Sequence, residues 1–338
     1  MSRLVETRLV NGPFDDPGLL LDLRFGRRAV LFDLGDIAAL SPREIGRLTH
    51  VFVSHRHMDH FAGFDRLLRL HLHRPGVLSL VGPPGFVEGV AARLGSYSWN
   101  LLDEGSVDLV IHAADFEAGR LGPATAFAAR RAFRPAPIPP GAAPLPPRRS
   151  TLPLGLVLDD PDFTVEAVTL DHGLPCLAFA LQERLRVNVW PEGLERLGLP
   201  VGPWLTEAKR AIRSGTGDDH AVTPLPGRSV SLGVLKAEAL RVAPGQRVAY
   251  VVDAACTPAN EAAILALAKG ADHLFIEAAF LDEDREIAAE RRHLTAQQAG
   301  SLARRADAKR LTVLHHSPRY LDRPDALRRE AEAAFADT

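Results

Sequence analysis

Leu48-Thr49-His50-Val51-Phe52-Val53-Ser54-His55-Arg56-His57-Met58-Asp59-His60 is the stretch that decides the reading of this chain. An apolar run, Leu48 to Val53, gives way at once to four potential metal ligands within six residues. A strand that ends in such a loop turns several imidazoles and a carboxylate toward one point. Side chains alternate along an extended chain, so His55 and His57 point one way, while Asp59 and His60 lie past the bend on another side. One zinc takes at most four ligands, and a catalytic zinc keeps a position open. Two pairs facing apart therefore point to two metals sharing one site, not to a solvated histidine-rich turn.

Strands and helices alternate on both sides of this loop. Leu19 to Leu23 and Ala29 to Asp33 read as strands separated by a turn around Gly26, and Pro42 to Arg47 as a short helical approach. Phe61, Phe64, Leu67 and Leu68 fall at helical spacing, which predicts a helix over 61–71. Strands are expected at 77–81, 107–111, 163–169, 177–182, 247–252, 273–277 and 311–314. Helices are expected at 84–94, 205–213, 260–269, 295–306 and 325–335, the one at 295 capped by Thr295. Residues 119–153 are rich in proline from Pro135 onward, so neither a helix nor a central strand fits them. They read as a surface insert, and 190–225 as a second, arm-like excursion. The whole chain, 1–338, is expected to be one domain carrying these two features.

The bulk numbers narrow the class. With 338 residues, 46% apolar and 24% charged, the chain has ample material for a globular core. Its formal net charge of −2 advertises no global field for nucleic acid. Four of its forty basic residues are lysines. No signal peptide or long uncharged apolar run is evident, so cytoplasmic residence away from membranes is expected. Cys176 and Cys256 make no disulfide framework and read as free thiols near the ligand loops.

Five strand ends carry candidate ligands: Asp33, the His55–His60 loop, His172, Asp253 and His315. The series resembles the metallo-β-lactamase superfamily, whose signature is HxHxDH followed by an isolated His, an Asp and a final His. Within it the chain is most similar to the ribonuclease Z family of tRNA 3′-processing endonucleases. Phe32-Asp33-Leu34-Gly35-Asp36 resembles that family's first aspartate motif, and Asp171-His172-Gly173-Leu174-Pro175-Cys176 its isolated-His motif. Ile276-Glu277-Ala278-Ala279-Phe280 looks like its HEATF-type strand end, and His293-Leu294-Thr295-Ala296-Gln297-Gln298-Ala299-Gly300 like its HST-x-x-QAG helix start. Leu314-His315-His316-Ser317-Pro318-Arg319-Tyr320 resembles its TH-x-S-x-RY terminus, and Leu197 to Pro203 the segment beside its tRNA-binding arm. The likeness spans about residues 29 to 320.

The resemblance implies an α/β fold, a four-layer αββα sandwich with two mixed β-sheets. It implies two Zn2+ ions, with Mn2+ or other divalent ions as substitutes. His55, His57 and His172 would hold one ion, Asp59, His60 and His315 the other, and Asp253 would bridge them. A metal-bridging hydroxide would then hydrolyse a phosphodiester, with RNA as a candidate substrate. Asp59 would orient or deprotonate the water. Glu277 and His293 would form a relay that protonates the departing 3′-oxygen. Asp33 is expected to hydrogen-bond the backbone of the histidine loop and not to bind metal. A homodimer is implied by the family likeness alone.

The chain also departs from the family. Where the family has a glycine-rich turn and a basic loop, this one has Asn11-Gly12-Pro13-Phe14-Asp15-Asp16-Pro17-Gly18. The family's SGDT is Val251-Val252-Asp253-Ala254 here, which keeps the carboxylate and loses its polar neighbours. Lys209, Arg210 and Arg213 are the basic remnant of the arm. The altered N-terminal loop and the proline-rich insert near residues 135 to 147 motivate an alternative, hydrolysis of another small ester on the same scaffold: a sulfate ester, thioester, lactone or cyclic phosphodiester. A non-catalytic RNA- or ligand-binding relative is a third reading, against which the full set of ligands argues.

Overall fold

A computed structural model describes residues 4–24, 27–138 and 155–337. The Gly26 turn and most of the proline-rich run lie outside the described residues. Leu48–Phe52 sits inside a nine-stranded sheet. On one side Val5–Leu9, Leu19–Leu23 and Arg28–Phe32 pair antiparallel. From Arg28–Phe32 the order continues in parallel through Leu48–Phe52, Gly76–Gly82 and Leu109–Glu117. Parallel neighbours bring the C-terminal ends of these strands to one edge, where layered α/β folds build sites.

A second, six-stranded sheet runs Gly155–Asp159, Phe163–Asp171, Pro175–Glu183, Arg247–Val251, His273–Glu277, Leu311–Leu314. Its last three strands are parallel. Alternation divides the residues of each strand between two layers. Leu31, Val51 and Val53 pack with Phe64, Leu67, Phe86 and Val90 of the helices Phe64–His71 and Phe86–Gly95. Their neighbours Phe32 and Phe52 face the other way and meet Phe179 at 5.2 and 5.6 Å between ring centroids. On the second sheet Ala178, Ala180, Ala249 and Val251 pack under Ile264, Leu267 and Leu302 of the helices Pro258–Ala268 and Ala296–Arg305. The result is helix, sheet, sheet, helix, the metallo-β-lactamase sandwich. No helix of the described residues is long and apolar enough to cross a membrane.

Two expectations change. The helix read at 61–71 is two pieces, Met58–Phe61 and Phe64–His71, so Asp59 and His60 stand on a helical turn. The break is a close backbone approach, since a Cβ on Gly63 would lie 2.2 Å from the carbonyl oxygen of Gly35. The insert is not wholly outside the sheet either. Thr125–Ala128 pairs with Leu109–Glu117, and Pro135–Pro137 pairs with Thr125–Ala128 as an outer strand. Pro135 and Pro137 lack an N–H, which an edge tolerates and a central strand does not.

The chain divides into two compact units, one of 1–159, 165–181 and 247–338, the other of 160–164 and 182–246. The smaller contains the expected arm region. It has its own core, with Trp204, Leu205, Leu232 and Leu235 between the antiparallel pair Arg186–Val189 and Leu240–Ala243 and the hairpin Ala221–Leu225/Arg228–Ser231. Helix Trp204–Arg213 forms where a short basic helix is expected.

Candidate metal centre

Every candidate ligand stands just past a strand end of the larger unit. Asp33, Asp253 and His315 adopt positive φ angles of 61°, 24° and 59°. Non-glycine residues rarely hold that conformation, and such strain clusters at functional sites. At His315 the turn decides which of two adjacent histidines enters the cluster. His316 instead bonds the carbonyl of Ala278 through Nδ1 at 2.9 Å and packs edge-on to Phe14.

The structure brings the seven proposed ligands together. His55, His57, His172 and Asp253 offer ligand atoms within 4.8 Å of one another, and so do Asp59, His60 and His315. Asp253 lies between the groups. Its Oδ2 is 3.5 Å from His55 Nε2 and 3.4 Å from His172 Nε2, and its Oδ1 is 3.6 Å from His60 Nε2 and 3.1 Å from His315 Nδ1. His55 and His60 Nε2, Asp253 Oδ1 and His315 Nδ1 are buried with no hydrogen-bond partner among the described residues. Buried polar atoms left unpaired are costly. These four orphaned atoms are spread over the two adjoining groups with Asp253 between them, a donor set that divalent cations would satisfy, so the residues fit the metals the fold implies.

The opposite edges of these rings are anchored. His60 Nδ1 lies 2.9 Å from Asp33 Oδ2, and His172 Nδ1 donates to the carbonyl of Arg292 at 2.9 Å. Asp33 also accepts from the Ser54 N–H at 2.7 Å and the Ser54 hydroxyl at 3.0 Å, as expected of a residue that orders the histidine loop. Burial and the neighbouring imidazole of His60 push His55 down to about 2, which keeps it neutral. Burial opposes a proton on His60, but the carboxylates of Asp33 and Asp253 outweigh it and raise that group to about 10. A cation at Nε2 would displace that proton, as metal binding generally does. Burial alone would raise Asp59; hydrogen bonds from His315 and His60 hold it below the usual carboxylate range.

Glu277 ends its strand fully buried. Its Oε1 accepts from the N–H groups of Ala254, at 2.7 Å, and Leu294, at 3.2 Å. Its Oε2 lies 2.7 Å from His293 Nδ1. Burial works against charge on both, yet each partner stabilises the other, so Glu277 is lowered and His293 raised. Thr295 caps the helix behind His293 through a capping box with Gln298, which fixes the loop.

His57, Asp59, His172, Asp253, His293 and His315 open onto a pocket of about 620 Å3 walled also by Asp15, Asp16, Phe280, Arg291 and Arg319. The acidic pair is partly structural: Asp16 Oδ2 accepts from Asp36 N at 2.9 Å, and Asp15 Oδ2 from Gly12 N at 3.2 Å. Sequence reasoning passed over Ser54, Tyr250 and Arg292. Tyr250 carried a signal, a phenol in an apolar strand, because a buried hydroxyl needs a partner. Arg292 carried none, since its carbonyl does the work. Cys176 packs with Sγ 3.6 Å from His55 Nδ1, and Cys256 sits 3.6 Å from Glu261.

Known proteins resemble this chain in sequence and in fold. Residues 214–316 match the model of the Beta-lactamase superfamily domain. Ribonuclease Z of Deinococcus radiodurans is 34% identical, over 87% of this chain and 84% of its own length. Ribonuclease Z of Nocardia farcinica is 32% identical, over 93% of this chain and 86% of its own. Among solved structures, the metallo-β-lactamase fold protein YhfI from Bacillus subtilis superposes with a TM-score of 0.54 at 16% identity, over 98% and 93% of the two chains.

Proposed function

The chain belongs to the ribonuclease Z family, metal-dependent hydrolases on the metallo-β-lactamase fold, and from that premise we propose that it is a dizinc phosphodiesterase acting on RNA 3′ ends, tRNA precursors among them. The observation that carries the proposal is the position of Asp253 between two ligand groups, beside the Glu277–His293 pair, in one pocket. His55, His57 and His172 would hold one ion and Asp59, His60 and His315 the other, with Asp253 shared. Two such ions supply positive charge that acidifies a water molecule and offsets the negative charge built up in an in-line displacement at phosphorus.

The remaining roles belong to the protein. Glu277, His293, Asp253 and His315 also form a group of possible ligands. Both oxygens of Glu277 are already bonded, however, which leaves it as the partner of His293. With Nδ1 tied to Glu277, His293 has Nε2 left to protonate the departing 3′-oxygen, and its raised proton affinity suits it to general acid catalysis. The depressed carboxyl of Asp59 stays ionised and can orient the attacking water by accepting a hydrogen bond from it. Arg291 and Arg319 add positive charge to a wall that phosphate oxygens would meet.

The test is hydrolysis of bis-p-nitrophenyl phosphate and of a precursor tRNA by purified protein, with and without chelation. Chelator-sensitive cleavage of both is expected. Inactivity toward both after zinc and manganese reconstitution would overturn the proposal. A homodimer is part of it on family likeness, and light scattering would test that. One observation favours a second reading, hydrolysis of another small ester: Asp15 and Asp16 stand on the pocket wall and repel polyanions. Faster turnover of a sulfate ester, thioester or lactone than of any phosphodiester would decide for it.

A further inference from the structure

Tyr250 is fully buried in the second sheet, its ring 5.8 Å from Phe32 of the first. Phenylalanine would fill that space equally well. The hydroxyl instead crosses between the sheets and donates to Asp33 Oδ2 at 3.0 Å. That oxygen is also 3.0 Å from the Ser54 hydroxyl and 2.9 Å from His60 Nδ1, while Oδ1 takes the Ser54 N–H. Four contacts leave the Asp33 carboxylate no freedom to rotate.

The consequence reaches both ligand groups. A proton held on His60 Nδ1 by Asp33 leaves Nε2 as the atom that faces the cluster with its lone pair when the ring is neutral. The Ser54 hydroxyl, having donated its hydrogen to Asp33, can accept one from His55 Nδ1, 3.1 Å away. His55 Nε2 is then likewise the free lone pair. His55 belongs to one ligand group and His60 to the other. One buried carboxylate, steadied from the opposite sheet, thus sets the orientation of a ring in each.

We propose that Tyr250 is a positioning residue for the metal centre: through Asp33 and Ser54 it orients His55 and His60 together, so that the affinity for both ions depends on one anchor. The inference rests on the reading that these groups hold metal. The test is competition of the zinc-loaded protein with a chromophoric chelator, resolved into its two binding steps, alongside the thermal midpoint of the metal-free protein. Tyr250→Phe should weaken both steps in parallel, by about tenfold, and leave the metal-free midpoint within a few degrees of wild type. Ser54→Ala removes a hydroxyl that lies 3.1 Å from Nδ1 of both His55 and His60 and that donates to Asp33, so it should likewise weaken both steps. Unchanged affinities in Tyr250→Phe would overturn the proposal. So would loss of one ion alone, or affinity lost only in proportion to a collapse of metal-free stability. Wild-type protein that bound no zinc would instead sink the metal reading itself.

Discussion

His293 Nδ1 lies 2.7 Å from Glu277 Oε2, and the other oxygen of Glu277 is pinned by two backbone N–H groups. The imidazole is therefore held from behind, with its second nitrogen left for the pocket. Neither residue needs to leave the pair to act. A buried carboxylate that stabilises an imidazolium makes a proton donor that can be reprotonated in place.

His293→Ala should keep the metals and lose rate. The loss expected for general acid catalysis is about 10²–10⁴-fold. It should be large for RNA, whose departing 3′-oxygen is basic, and small for bis-p-nitrophenyl phosphate, whose p-nitrophenolate leaves without help. Parallel kcat measurements on the two substrates, with elemental analysis for zinc, check this. Equal losses on both would remove the proton-donor role.

The pH profile follows from the same pair. His293 must carry its proton to act, and its proton affinity is raised above the ordinary value near 6.5. Activity on RNA should hold on the acid side and fall as pH rises through that raised value. Glu277→Gln removes the stabilising charge while burial remains, so the alkaline limb should move to lower pH. Stability carries the same sign on the alkaline side: the contribution of His293 is complete below about 6.5 and is lost as pH rises through its raised folded-state value. That of Glu277, whose proton affinity is lowered, is complete above about 4.5 and is lost as pH falls further.

His57 is exposed, unlike His55 and His60. His57→Ala should accordingly lose zinc and activity together while the metal-free protein unfolds at nearly the wild-type temperature. Chelation of wild-type protein should reproduce the activity loss and be reversed by added zinc; the variant should not recover. A thermal midpoint many degrees lower in the metal-free variant would show that His57 supports the fold instead.

Burial lowers His316 to about 4, and the ring is locked between Ala278 and Phe14. An unfolded chain takes up this proton near pH 6.5, the native state only near 4. Stability should therefore fall as pH drops through that window, by at most about 3 kcal/mol from this group. Urea titrations of wild type and His316→Gln at pH 4 to 7 would show it, with a shallower slope in the variant. Parallel slopes would assign acid sensitivity to other groups.

Much of this was legible because two periodicities are strong. Alternation placed the strands, and ligand-bearing residues follow strand ends where few other roles need them. What alternation could not show was the helical turn at Met58–Phe61, because a four-residue helix has no period to read. The edge strand Pro135–Pro137 was hidden by its prolines, which read as irregular until a neighbour is seen on one side only. The anchors behind the ligands were harder still. Ser54 and Tyr250 meet Asp33 across sequence separations of 21 and 217 residues, and Arg292 acts through a carbonyl that any residue supplies.

Asp15 separates the two functional readings. It stands on the pocket wall, where its side chain accepts the Gly12 N–H through Oδ2 while its own N–H donates to the Gly12 carbonyl. Asp16, by contrast, is tied to the backbone of Asp36, so changing it would disturb the loop as well as the charge. Asp15→Asn keeps an acceptor oxygen for Gly12 and removes one negative charge facing the substrate. For an RNA substrate, less repulsion should lower KM, by roughly threefold at low salt for a partly screened contact, with kcat unchanged. The gain should vanish at high salt, where exposed charges more than a few ångströms apart no longer interact. An uncharged ester should show neither effect. An Asp15→Asn variant with unchanged KM for RNA at every salt concentration would mean that no polyanion approaches this wall, and would turn the case toward the small-ester reading.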